Sequence, residues 1–90
     1  MVLIAENEKL IGIFTDGDLR RALESNIDFQ KLTIGDVMTK DCKSIEPQEP
    51  ALTAMQMMEK YSLNSLPVVD SSNNIVGAIN MHTLIQAKLF

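Results

Sequence analysis

A chain of 90 residues with a net charge of −4 forms one compact domain at most. Its 46% hydrophobic and 22% charged residues are typical of a soluble globular fold. Apart from Arg20 and Arg21, the eight basic residues are scattered, which argues against the positive patch of a nucleic-acid-binding protein. No apolar run reaches the roughly 18–20 residues that a membrane-spanning helix needs. The single cysteine, Cys42, fits a reducing compartment, so we expect a cytoplasmic protein without membrane or nucleic-acid partners.

The first part of the chain predicts a β-hairpin followed by a helix. Apolar residues occupy positions 2–5 and 10–14, and the polar segment between them is typical of a hairpin turn. Residues 16–25 carry apolar positions at helical spacing. After a linker, Thr33 and Asp36 have the spacing of a capping box, which predicts a short capped turn.

The rest of the chain predicts a further set of strands and helices. In chain order they are a short strand over 43–46, a helix with Pro50 at its first position, a strand pair over 66–69 and 75–79, and a closing helix over 84–89. Within the first of these helices, Met55, Met57 and Met58 lie on an apolar stripe. We expect these methionines to fill the core.

Two segments of the chain, residues 10–19 and 75–84, have closely similar sequences. Such self-similarity at one period is the signature of stacked structural repeats. The second copy belongs to a complete β-α-β-β-α unit, whereas the first supplies only β-β-α. The predicted fold class is therefore α+β with two tandem repeats, the first truncated and covering 1–30, the second complete and covering 31–90. We expect the chain to be a trimmed piece of a longer protein.

A glycine stands at the matching point of each repeat, Gly12 in the first and Gly77 in the second. Inside a strand, glycine often marks the close approach of another backbone or of a ligand. We expect such an approach at both positions.

Three motifs together resemble the cystathionine-β-synthase (CBS) domain family, in which two tandem domains form a CBS pair. They are Asp-Val-Met-Thr at 36–39, Leu-Pro-Val-Val-Asp at 66–70, and Gly-Ile-Phe-Thr at 12–15 leading to Asp18. The longer run 12–21, with Met-His and Leu-Ile near the end of the chain, is similar to the C-terminal part of arabinose 5-phosphate isomerases. In that family a sugar-isomerase domain precedes the CBS pair. It interconverts ribulose 5-phosphate and arabinose 5-phosphate for Kdo, a sugar of lipopolysaccharide or capsule.

The resemblance implies a ligand site at the start of the first helix. In CBS domains a Thr or Ser after the last strand and an Asp three residues later commonly hold a nucleotide, and Thr15 and Asp18 match them, with Asp16 between. A hydroxyl and free N–H groups at a helix start suit a phosphate, and a carboxylate accepts from both hydroxyls of a ribose. By residue type alone, the same side chains cap the helix. The two roles can coexist.

The resemblance also implies positions for the nucleotide base in the second repeat. They are Ser44, Ile45, Leu66 and Pro67. At the end of this repeat, Asn80 and Thr83 stand where the family has Thr and Asp. Because Thr83 has no carboxylate for a diol, a second site of the usual kind is not expected, although both residues remain candidates.

Two functions are compatible with these features. The first is a regulatory module that senses an AMP- or ATP-like nucleotide, or CMP-Kdo, between the repeats and changes an attached isomerase domain. The alternative is a ligand-free oligomerisation scaffold of the same enzyme, and in either case uncovered apolar surface predicts a twofold dimer. We expect no catalysis by this chain, since His82 has no partner base, nucleophile or zinc-ligand spacing. A resident cofactor or metal is not expected.

Overall fold

The computed structural model describes residues 1–25 and 28–82. Its elements in chain order are β1 (Val2–Glu6), β2 (Lys9–Phe14), α1 (Asp16–Glu24), a 3₁₀ turn (Phe29–Lys31), α2 (Ile34–Val37), α3 (Ala51–Lys60), β3 (Ser65–Val69) and β4 (Ile75–Asn80). Tertiary contacts divide the chain into an N-terminal unit, Met1–Cys42, and a C-terminal unit, Lys43–Phe90. The mixture of helices and strands confirms the α+β class.

The N-terminal unit begins with the predicted hairpin. β1 and β2 pair antiparallel, with a bulge between Ile4 and Ala5. The turn residues Asn7 and Glu8 have φ angles of 51° and 68°, both left-handed. Two consecutive left-handed residues form a turn whose twist matches the right-handed twist of the strands. Asn7 and Glu8 therefore connect β1 to β2 in a tight two-residue turn.

A second pairing links β2 to the segment after α2. The predicted capping box is present, because Asp36 N–H donates to Thr33 Oγ1 at 3.2 Å and Thr33 N–H donates to Asp36 Oδ2 at 2.9 Å. Beyond α2, Thr39 exchanges backbone hydrogen bonds with Ile13 at 2.9 and 2.8 Å. This pairing ties α2 to the N-terminal unit, so the compact units divide after Cys42 and not at the predicted repeat boundary near residue 30. The repeat assignment itself stays a prediction.

Gly12 is required by this pairing. A Cβ atom at Gly12 would lie 2.7 Å from Met38 Sδ and 3.0 Å from the carbonyl oxygen of Thr39. The predicted close approach is therefore confirmed at Gly12. Around Gly77, no atom of the described residues lies within 4 Å of such a Cβ, so the described structure gives this glycine no equivalent role.

The C-terminal unit contains less of its first strand than the sequence predicts. Of residues 43–46 only Ile45 pairs, in a single parallel bridge to Val68 of β3. Ile45 N–H donates to the carbonyl of Pro67 at 3.0 Å, and Val69 N–H donates to the carbonyl of Ile45 at 2.9 Å. The strand stops there because Glu46 enters a turn, in which its carbonyl accepts from the N–H of residue 49 at 3.1 Å.

The core of the C-terminal unit lies along α3. Pro50 is the N-cap of this helix and not its first residue. Met58 and Leu66 are completely buried, and Met55 and Met57 pack against them, which confirms the predicted role of the methionines. The buried residues of this core are Ile45, Ala54, Met58 and Leu66.

α3 ends in a Schellman arrangement. Leu63 N–H donates to the carbonyl of Met58 at 2.7 Å, and Ser62 N–H donates to the carbonyl of Glu59 at 3.3 Å. Ser62 takes the left-handed conformation, φ 55°, at the position where glycine is most common.

The C-terminal hairpin pairs β3 with β4 antiparallel, with a bulge between Val68 and Val69. Asp70 shapes the connection, since its Oδ1 accepts from the N–H groups of Ser72 and Asn74, each at 2.9 Å. The predicted helix over 84–89 lies outside the described residues. In the described part of the chain, no helix is long and apolar enough to cross a membrane.

Candidate functional site

The start of α1 is organised by Thr15 and Asp18. Thr15 is extended (φ −120°, ψ 171°) and N-caps the helix. Its Oγ1 accepts from Asp18 N–H at 3.2 Å, while its own N–H and hydroxyl donate to Asp18 Oδ2 at 2.8 and 3.0 Å. This reciprocal pair is a capping box, so the capping interpretation is confirmed. Asp16 lies exposed in the first turn, where its charge faces the positive end of the helix dipole.

The second carboxylate oxygen of Asp18 is also bonded within the chain. Oδ1 accepts from the Thr39 hydroxyl at 2.6 Å and from Arg21 Nη2 at 2.5 Å. The Asp18 residue is only 3% exposed. Because a carboxylate offers about four lone-pair sites, these four donors fill its accepting capacity.

The hydrogen bonds keep Asp18 ionised. Burial by itself would raise the pKa of this carboxyl, but the bonds from Thr39, Thr15 and Arg21 outweigh burial and hold the pKa below its ordinary value. Asp18 is therefore a fixed negative charge at neutral pH. A ribose diol could bond to this carboxylate only if at least one of these donors, from Thr15, Thr39 or Arg21, gave up its bond.

Asp18 and Arg21 also line a cavity of about 260 Å³ within the N-terminal unit. The remaining lining residues are Ala22, Ser25, Leu32, Asp36 and Val37. Arg21 forms an ion pair with Asp18 while its side chain stays 70% exposed. In this cavity, the positive charge of Arg21 is therefore already paired with the Asp18 carboxylate.

A second cavity, of about 210 Å³, lies within the C-terminal unit. Its lining residues are Ser44, Ile45, Glu46, Glu49, Met57 and Val69. Ile45, Met57 and Val69 form an apolar wall, and Ser44 adds a hydroxyl. The Glu46 carboxylate accepts a hydrogen bond from the side-chain amide of Gln48. We refer to this site below as the Ser44 cavity.

The structure separates the four residues that are predicted to contact a base. Ser44 and Ile45 line the Ser44 cavity, whereas Leu66 and Pro67 are fully buried and do not line it. The Pro67 carbonyl already accepts from Ile45 N–H. Contact of these residues with a base stays a prediction, and only the first two expose a surface that a base could touch.

The end of β4 holds the last predicted pair. Asn80 is exposed and lines an open depression of about 520 Å³ with Asn64, Ser65, Met81 and His82. Met81 N–H donates to the carbonyl of Asn64 at 2.8 Å. Thr83 lies outside the described residues, so its candidate role has no structural counterpart.

The described residues contain no metal-binding cluster, and the thiol of the single cysteine is not activated. No group of three or more His, Cys, Asp or Glu side chains among them could hold a metal ion. Burial raises the pKa of the Cys42 thiol, with a further contribution from the neighbouring Asp41 charge. A thiol with a raised pKa stays protonated and is a poor nucleophile at neutral pH.

The sequence did not predict the roles of several residues at these sites. Arg21 stands three positions after Asp18 on one helix, so the pairing rule for helix neighbours could have found its ion pair. Thr39 is 21 positions from Asp18, and no local spacing points to that contact. Glu46 and Glu49 flank a predicted strand end and carry no motif of their own.

Sequence comparisons with known proteins point to one family. The model of the CBS domain matches residues 34–89. The chain is 52% identical over 87 residues to the arabinose 5-phosphate isomerase KdsD of Francisella tularensis, covering 97% of this chain and 27% of that protein. It is 46% identical over 86 residues to KdsD of Pseudomonas aeruginosa, covering 96% and 26%. The chain thus spans about a quarter of the length of these curated relatives.

A solved structure agrees with this assignment. The CBS domain pair of protein MJ0100, in complex with 5′-methylthioadenosine and S-adenosyl-L-methionine, superimposes with a TM-score of 0.80 at 30% sequence identity. The match covers 94% of this chain and 65% of that one. With the family model matching more than half of its residues, the chain belongs to the CBS-domain family.

Proposed function

We propose that this chain is the regulatory, nucleotide-binding CBS module of an arabinose 5-phosphate isomerase of the Kdo pathway. In this proposal the chain performs no isomerisation. It binds an adenine nucleotide or nucleoside, or CMP-Kdo, and the bound state changes the activity of a sugar-isomerase domain in the parent protein. The regulation is a coupling free energy between two sites, so substrate and effector influence each other's binding equally.

The similarity to KdsD over nearly the whole chain carries the assignment to that enzyme. The protein MJ0100 pair, which was solved with two adenosine-containing ligands, supports an adenosine-type ligand. Within the chain, the Ser44 cavity supports a binding site for the base, since it combines an apolar wall with a hydroxyl. Ligand pockets typically combine apolar walls with a few polar groups in this way.

Thermal unfolding of the 90-residue chain with a ligand panel tests the proposal. The panel contains adenosine, AMP, ATP, S-adenosyl-L-methionine and CMP-Kdo. A ligand at 100 times its Kd stabilises the folded chain by about 2.7 kcal/mol. For a chain of this size that raises Tm by roughly 10–20 °C. If no member of the panel raises Tm, the sensing function is refuted.

Asp18 remains the proposed residue for the ribose diol, and Thr15 the proposed residue for a phosphate. Thr39 provides a sharp test of the diol contact. If a ribose diol must displace the Thr39 hydroxyl from Asp18 Oδ1, then Thr39→Val removes the competitor. Because the lost hydrogen bond to a charged group contributes about 1.5–3 kcal/mol, the chain should lose stability and ligand affinity should rise at least about tenfold. If Asp18 only caps the helix, the same substitution lowers stability and leaves affinity unchanged.

The ligand-free oligomerisation scaffold is the second candidate, and one observation favours it. The Asp18 carboxylate has all of its acceptor sites filled by the chain. The chain also exposes large apolar side chains, among them Val2, Leu23, Leu52 and Val76. Sedimentation velocity separates the candidates. A scaffold forms the same twofold dimer with and without the ligand panel, and it shows no change in Tm.

A further inference from the structure

The segment that joins the two compact units is anchored at Thr39. Thr39 exchanges backbone hydrogen bonds with Ile13 at 2.9 and 2.8 Å, and its hydroxyl donates to Asp18 Oδ1 at 2.6 Å. After Thr39, the next backbone pairing in the described part of the chain is that of Ile45, which already belongs to the C-terminal unit. Residues 40–42 therefore leave the N-terminal unit directly from the contact with Asp18.

The Thr39 hydroxyl is the part of this anchor that a ligand at Asp18 competes with. Thr39 is an exposed residue, so its hydroxyl can leave Asp18 without repacking of the core. Of its three hydrogen bonds, only the hydroxyl bond ends on a group that the proposed function assigns to a ligand. A diol that bonds to Asp18 Oδ1 therefore removes the side-chain bond and leaves the two backbone bonds without its support.

We infer that Thr39 is a ligand-sensitive anchor: a ribose diol at Asp18 releases the Thr39 hydroxyl and loosens the start of the segment that joins the units. This inference rests on the proposed function, since it names how binding at the same site is transmitted. Loss of a hydrogen bond to a charged group should let the Thr39–Ile13 pair open about tenfold more often. A ligand of the folded state ordinarily makes opening rarer, so the expected change has the opposite sign.

Arg21 gives the alternative to this release. It donates to the same Oδ1 atom at 2.5 Å, and its side chain is 70% exposed. If the diol displaces Arg21 and not Thr39, the hydroxyl bond survives and the Thr39–Ile13 pair stays closed. The two possibilities therefore predict different hydrogen-exchange rates for the same two amides, those of Ile13 and Thr39.

Amide hydrogen exchange of the 90-residue chain, resolved by NMR, tests the inference with each of the five members of the ligand panel, all of which carry a ribose diol. We expect a saturating ligand to raise exchange at Ile13 and Thr39 about tenfold, while the Leu63 amide at the end of α3 serves as an internal control.

Two variants separate the hydroxyl from other effects of the ligand. Thr39→Val should raise exchange at both amides about tenfold without any ligand, and a ligand should then add no more than about twofold, because the anchor is already lost. Thr39→Ser, the matched control, keeps the hydroxyl and should behave like the unchanged chain.

Each outcome decides between separate claims. If a panel member binds but leaves exchange at Ile13 and Thr39 unchanged, or slows it, the diol does not release Thr39, and the inference is wrong while the sensing function stands. If Thr39→Val leaves the ligand-free exchange rates unchanged, the hydroxyl is not an anchor and the inference is wrong whatever the ligand does. If no member of the panel binds, the proposed function and this inference fall together.

Discussion

Replacing Asp18 with alanine should destabilise the N-terminal unit far more than the same change at Asp36. Both residues occupy the third helical position of a capping box, Asp18 with Thr15 and Asp36 with Thr33. They differ in burial and in partners. Asp36 is exposed, whereas Asp18 is 3% exposed and also accepts from Thr39 and Arg21.

The magnitude follows from the bonds that are lost. Loss of the capping box costs about 1 kcal/mol. The bond between the Thr39 hydroxyl and a buried charge contributes about 1.5–3 kcal/mol. The Arg21 pair adds little, because its guanidinium side chain is 70% exposed and solvent screens it. Since these terms share one side chain and do not add fully, Asp18→Ala should cost about 2–4 kcal/mol in the free energy of unfolding.

Urea unfolding, followed by circular dichroism, measures this difference. The midpoint should fall strongly for Asp18→Ala and only slightly for Asp36→Ala, with similar m-values. A double-mutant cycle between Asp18→Ala and Thr39→Val should give a coupling energy of about 1–2 kcal/mol. Equal losses at Asp18 and Asp36, or a coupling near zero, would refute the view that Thr39 and burial make Asp18 special.

Three further predictions concern the acid sensitivity of Asp18, the two matching glycines and the core of the C-terminal unit. Because hydrogen bonds hold the pKa of Asp18 below the unfolded value of 3.8, its stabilisation is complete above about pH 5 and disappears as the pH falls through 3.8 towards the folded pKa. Acid titration of unfolding should show this loss in the unchanged chain and less of it in Asp18→Asn. Gly12→Ala should cost about 1–3 kcal/mol because its Cβ meets Met38 and a backbone oxygen. Gly77→Ala should be neutral or gain up to about 1 kcal/mol, and equal effects in thermal unfolding would contradict the contrast. Met58→Ala should cost about 2–5 kcal/mol, as for other fully buried methionines, in the same assay.

Local patterns in the sequence predicted the local structure well. Thr33 and Asp36 form the capping box that their spacing indicates, and the strand pair over 66–69 and 75–79 is present with ends shifted by one residue. These features succeed because each depends on residues within a few positions of one another. The strand predicted over 43–46 is wrong, because a turn begins at Glu46 and only Ile45 pairs with β3.

The parts of the site that depend on distant residues could not be predicted in this way. Thr39 reaches Asp18 only because the segment after α2 pairs with β2, and no spacing within either segment records that pairing. Likewise, the repeats align Gly12 with Gly77, but only Gly12 is crowded by described atoms. The two carboxylates that line the Ser44 cavity, those of Glu46 and Glu49, lie in a turn where the sequence predicts only the end of a strand.

The tight turns of this fold provide a practical route to more stable variants. None of the four glycines, all within the described residues, has a positive φ, and the left-handed positions belong to Asn7, Glu8, Asp41, Ser62 and Asn73. A residue with a Cβ pays roughly 1 kcal/mol for that conformation, and Glu8 and Ser62 lack the local hydrogen-bonding tendency of Asn and Asp. Glu8→Gly and Ser62→Gly would therefore raise stability at positions that line none of the three cavities described above. On that background, the gain at the two positions would offset part of the stability that the Asp18 variants lose.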